Sequence, residues 1–237
     1  MKKTMLIIIG ILALYLVLQI VYSGRFYIQS RNLVKTTYTQ DVQLGNKSNR
    51  QLEIFIAGDS VATGVGASSF DTSVSGRVAN YLAEENYVVL TNRAENGNRM
   101  ADMLSTKPPE EKQDLVILIV SSNNLLNFTS LFSFEEETKE VLEKYAKLTD
   151  KLIIVGPGRV FEAAIIPFPV RLIHKIQAPK YAEIISKEAK KYSNVVHISP
   201  LAPPVNPSDY KKDTSSDGLH PNDEGHRFWF DMIKSAL

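Results

Sequence analysis

The sequence predicts an α/β protein. The expected architecture is a flavodoxin-like three-layer α/β/α sandwich with a five-stranded parallel sheet, preceded by one N-terminal transmembrane helix. Three observations predict it. Short β-rich runs alternate with helical patterns across residues 51–237. Several of these runs are continuously apolar, as strands covered on both faces must be. Ahead of them, Met5–Tyr22 is an almost wholly apolar stretch.

That first stretch has Gln19 as its one clearly polar side chain. Its eighteen residues would span roughly 27 Å as a helix, close to the thickness of a bilayer's hydrocarbon core. Lys2 and Lys3 would also suit a cleaved signal peptide, but the run exceeds the usual signal core and lacks an A-x-A site; Val21-Tyr22-Ser23 is a poor substitute. Residues 1–22 are therefore read as a retained signal-anchor, making the membrane a partner through residues 5–22. Lys2 and Lys3 oppose Arg25, Arg31 and Lys35 across the span, so flanking charge does not set orientation. Long domains that follow such spans are translocated largely regardless of these charges, which places the body outside the cytoplasm. Residues 23–50 show no sustained period and read as a juxtamembrane stalk, with Phe26–Val34 open to continuing the helix.

Residues 51–237 are read as one folded domain. LEIFIA at 52–57 ends on Gly58 and reads as a buried strand. A helix follows at about Ser75–Glu85, facing inward with Val78, Leu82 and Tyr81; YVVLTN at 87–92 is the second strand. A short helix fits Arg99–Leu104 before Pro108-Pro109, and DLVILIV at 114–120 is the strongest strand signal. Ser133-x-x-Glu136 resembles a capping box for a helix ending near Leu148. KLIIVG at 151–156 is strand four, Pro179 suits the first turn of a helix reaching Lys191, and NVVHIS at 194–199 is strand five. The last helix covers Glu224–Ala236, its apolar face built from Phe228, Trp229, Met232 and Ile233.

In a doubly wound sheet the site lies at the carboxyl ends of the strands. Ala57-Gly58-Asp59-Ser60 puts a serine there, either as an exposed hydroxyl on a tight turn or as an ordinary cap or Asx-turn. It is not a G-x-S-x-G elbow, because Ala62 stands where the second glycine belongs. Asp217-Gly218-Leu219-His220-Pro221 lies far along the chain, just before the last helix. Alone it is a turn and a helix start; paired with a strand-end serine it supplies an imidazole and a carboxylate to orient it.

With these blocks in place, the chain resembles the SGNH, or GDSL, hydrolases over about residues 52–236. Gly58-Asp59-Ser60 matches the nucleophile block, Asn92-x4-Gly97 with Asp102 the second, Ser121-Ser122-Asn123-Asn124 the third and Asp217-x-x-His220 the last. The resemblance implies the SGNH fold and a Ser60–His220–Asp217 triad. It also implies an oxyanion hole formed by the Ser60 and Gly97 backbone N–H groups and the Asn123 amide. It further implies hydrolysis of a small-molecule, glycan or lipid acyl ester without a cofactor. Ser121 replaces the usual glycine and Asn124 the usual aspartate, which bears on efficiency and substrate. A non-catalytic glycan-binding module and an O-acyltransferase are the alternatives.

Composition excludes several other classes. Hydrophobic residues make up 44% and charged residues 22%, which argues against disorder. A net charge of +1 gives nucleic acid no basic face to bind. The absence of cysteine excludes disulfide scaffolds, thiolate metal sites and cysteine nucleophiles. His174 and His197 have no metal-ligand spacing, His226 reads as a surface or partly packed side chain, and Asp59 as a turn-former. Gly64-x-Gly66 and Gly156-Pro-Gly158 read as loop and turn. FEAAIIPFPVRLIHKIQ at 161–177 reads as a loop and short helix packed on the body, or as an apolar lid that touches the membrane.

Overall fold

The computed structural model describes residues 2–201 and 207–237. A long helix, α1 (Lys2–Leu33), leads into a six-stranded sheet built from β1 (Val42–Leu44), β2 (Gln51–Gly58), β3 (Tyr87–Asn92), β4 (Gln113–Ile119), β5 (Thr149–Val155) and β6 (Val195–Ile198). The strand order is β1-β3-β2-β4-β5-β6. The five predicted strands are the five parallel ones. The sixth, β1, pairs antiparallel at the edge, with Val42 opposite Leu90.

Alternation along the central strands creates the layers, because successive side chains point to opposite faces. Phe55, Val116, Leu118, Leu152 and Ile154 enter one core with Phe134, Tyr145 and Tyr181. Ile54, Ile56, Ile117, Ile153 and Val155 enter the other with Val78, Trp229 and Ile233. The first core is covered by α5 (Leu131–Ala146) and α6 (Val170–Ala189), the second by α2 (Val74–Ala83) and α8 (Asp223–Lys234).

Four expectations are corrected. The sheet has six strands, because β1 lies in the segment read as a stalk; α1 runs on to Leu33, the continuation left open for Phe26–Val34. Ahead of β1, Tyr38 N–H donates to the Thr63 carbonyl at 2.7 Å and Asp41 forms a bidentate pair with Arg93, so this stretch is fastened to the body. The cap of α5 is Ser130, whose hydroxyl accepts from Ser133 N–H at 3.0 Å, not Ser133. Pro179 lies inside α6 rather than opening it; burial of His174, Ala178, Tyr181 and Ile185 holds the helix through the proline. His226 is fully buried.

Candidate active site

Gly58 closes β2 where its neighbour leaves no space: a Cβ there would sit 2.0 Å from the Ile119 carbonyl oxygen, at φ +148°. Asp59 N–H then donates to that same carbonyl at 2.8 Å, turning the chain out of the sheet. The Asp59 carboxylate accepts from Val61 N–H at 3.0 Å, the turn-forming role expected of it. Burial pushes the Asp59 carboxyl up to about 6, against the opposing pull of that N–H and of His220. Ser60 emerges partly exposed at the strand end.

The loop carrying His220 is fitted against the serine loop. A side chain at Gly66 would meet the Pro221 carbonyl oxygen at 2.1 Å, so the two backbones touch. Ser68 binds Asp223 through both its N–H and hydroxyl, at 2.8 and 2.7 Å. Within the loop, His220 Nδ1 lies 2.6 Å from Asp217 Oδ2, and Asp217 Oδ1 accepts the Leu219 and His220 N–H groups at 3.0 Å each. Asp217 is fully buried. Burial alone would raise its pKa, but the His220 hydrogen bond, the charge of His220 and the two amides outweigh it and hold the carboxyl below its ordinary value.

Ser60, Asn123 and His220 line one pocket of about 100 Å³, walled by Leu126, Val160 and Trp229 among others. Asn123 comes from α4 (Ser122–Leu126) and donates one amide N–H to the Asn98 carbonyl at 3.1 Å. Gly97 is the residue before Asn98, on an exposed loop at φ +86°; it is not among the residues lining the pocket. Asn92 is buried beneath the serine loop, donating to the Ala62 carbonyl and Ser75 Oγ. Asp102 caps the Arg99 N–H at 2.8 Å.

The two departures in the third block have structural consequences. Ser121 adopts φ 103°, a glycine conformation, and its buried hydroxyl has no hydrogen-bond partner among the described residues. Asn124 accepts from Met100 N–H at 2.7 Å and donates to Glu137 at 3.0 Å, so it ties the second block to α5 without a charge of its own. Burial raises the Glu137 carboxyl, against the opposing pull of Asn124.

Sequence reasoning missed Arg159, Tyr210 and Asn96. Arg159 lines the pocket and pairs with Glu162, Nε to Oε1 at 3.0 Å. Tyr210, on α7 (Pro207–Lys212), lines it too, its phenol held above the ordinary range by burial and then by Glu162 and Asp217. Asn96 accepts from Thr63 Oγ1 at 2.6 Å and donates to the Val34 carbonyl at 2.9 Å. None of the three belongs to a motif; only the fold brings them to the strand ends.

A doubly wound α/β sandwich with its pocket at the carboxyl ends of the strands defines the class of protein. The chain belongs to the GDSL-like lipase/acylhydrolase family, whose model matches residues 56–228, and it is accordingly a carboxylic ester hydrolase. Solved structures share its fold. Axe2, an acetylxylan esterase from Geobacillus stearothermophilus, is 16% identical with a TM-score of 0.57, covering 80% of this chain and 95% of its own. An extracellular lipase from Streptomyces rimosus is 15% identical with a TM-score of 0.58, covering 78% and 100%. LAE5, an α/β hydrolase from the metagenome of Lake Arreo, is 14% identical with a TM-score of 0.58, covering 79% and 95%. No curated protein matches the chain.

Proposed function

We propose that this ester hydrolase works by acyl transfer through Ser60, at a body held to the membrane by residues 5–22 and facing out of the cytoplasm. Ser60 Oγ attacks the ester carbonyl while His220 Nε2 takes its proton, and the buried Asp217 carboxylate fixes the ring and stabilises the imidazolium. The Ser60 backbone N–H and the second amide hydrogen of Asn123 receive the tetrahedral oxyanion. His220 then returns the proton to the leaving alcohol, and water repeats the sequence on the acyl-enzyme. Residues 1–22 form the span, and residues 51–237 together with the edge strand β1 form the catalytic unit. α1 supports the anchor: its most apolar 18-residue window has a mean hydropathy of 2.7, and none of that window is buried, as in a membrane span or a signal sequence.

The observation that carries the chemistry is the 2.6 Å His220–Asp217 hydrogen bond in a loop that shares its pocket with Ser60. Turnover of p-nitrophenyl esters by the full chain in detergent tests it. Ser60→Ala is expected to abolish turnover. Asn123→Ala, which removes one oxyanion donor, is expected to lower kcat roughly 10²–10³-fold with KM little changed. Undiminished hydrolysis by Ser60→Ala would overturn the proposal.

A further inference from the structure

Large apolar side chains exposed outside α1 are not scattered. Of the eight among the described residues, seven fall within 128–132 and 168–176, and only Val196 lies elsewhere. Phe132 is 76% exposed and Ile176 66%, well beyond what a loosely covered core leaves open. The two segments form one patch: the Phe128 ring lies 4.8 Å from that of His174 on α6, and Tyr181 donates its hydroxyl to the Thr129 carbonyl. On α6, Leu172 and Ile176 sit one turn apart on the outer side, while His174, Ala178 and Tyr181 fill the inner side.

The same patch meets the apolar helix. Tyr15 of α1 donates its hydroxyl to the Phe168 carbonyl at 3.3 Å. Tyr15 stands seven residues before the end of the apolar run at Tyr22, which is about 10 Å along a helix. A bilayer that takes α1 to Tyr22 therefore reaches Phe168 and its neighbours at about the depth to which amphipathic helices sink at the acyl–headgroup boundary. Charge on the α6 side of the patch agrees: between residues 163 and 182 there is no acidic residue, whereas Arg171, Lys175 and Lys180 are all basic. Nor does the linker leave slack for the body to tumble, since Asn96 holds the Val34 carbonyl and Thr63 holds Tyr38 N–H.

The geometry points to a lipid-docking surface made by Phe128, Phe132, Phe168, Leu172 and Ile176, which seats in the bilayer interface beside α1. This rests on the reading of α1 as a retained membrane span, and it is independent of the ester chemistry.

Because the chain has no cysteine, a single introduced one is a unique probe. Phe132→Cys, Ile176→Cys and, as a control at the opposite end of the sheet, Glu111→Cys are each labelled with an environment-sensitive dye. The full chain is then reconstituted in phosphatidylcholine/phosphatidylglycerol vesicles. Dyes at 132 and 176 are expected to shift to the blue and to be quenched by lipids spin-labelled near the headgroup end of the acyl chain, while the dye at 111 is not. Dyes at 132 and 176 as water-exposed as that at 111, in a chain that resists alkaline carbonate extraction, would overturn the docking surface. A chain that washes out would overturn the membrane-span reading, and the surface with it.

Discussion

Ser121 is the residue at which this chain departs most visibly from its family's pattern, and the cost is local. An L-residue at φ 103° carries backbone strain of roughly 1–3 kcal/mol, and its buried hydroxyl adds an unsatisfied donor. Ser121→Gly is therefore expected to stabilise the protein by about 1 kcal/mol, read as a rise of a few degrees in Tm; an unchanged or lower Tm would show that the serine is well accommodated. Asn124 shows the opposite pattern, a replacement that the surroundings require. An aspartate there would keep the acceptor for Met100 N–H but face the Glu137 carboxylate 3.0 Å away. Asn124→Asp is expected to cost about 1–2 kcal/mol near neutral pH and to be rescued by Glu137→Gln, in a double-mutant cycle of denaturant midpoints. The sequence shows both substitutions but neither consequence. That Asn124 meets a glutamate thirteen positions later depends on how α5 packs against α4.

At the scale of elements, the five parallel strands were legible because a strand buried on both faces leaves a continuous apolar run. β1 was not: three residues, Val42–Leu44, carry no period, and their pairing with β3 is a tertiary fact. α6 misled for a related reason. Pro179 is a breaker in isolation, yet the buried side of the helix outweighs one lost hydrogen bond. His226 on α8 reads from the sequence as a surface or partly packed side chain of the last helix. Instead it bridges the Val65 loop and the start of α2, its Nε2 3.0 Å from the Val65 carbonyl and its Nδ1 accepting from Val74 N–H at 3.3 Å. Those partners suit only the neutral ring. Burial lowers its pKa from 6.5 to about 4, outweighing the Val65 carbonyl and Asp223, which raise it. The unfolded chain therefore takes up the proton first as pH falls. Stability contributed by this residue is complete above pH 6.5 and lost progressively down to about pH 4, by up to about 3 kcal/mol. Urea midpoints across that window should fall in the native protein and fall less in His226→Gln; parallel profiles would contradict the assignment.

At the scale of the molecule, the blocks around Ser60, Asn123 and Asp217–His220 come together because three loops leave the same end of one sheet. The close approach of Gly66 to Pro221 locks two of them in register. The sequence pointed to these residues through their spacing and family resemblance. Arg159, Tyr210 and the fastening of residues 34–41 could be found only after folding. The proposed chemistry requires Ser60 to be a nucleophile activated by His220. Labelling of the full chain with a fluorophosphonate, followed by peptide mass spectrometry, tests it most directly. A single adduct on Ser60 is expected, formed at least about a hundredfold more slowly in His220→Ala. An adduct on another residue, or equal labelling rates in the two proteins, would contradict it.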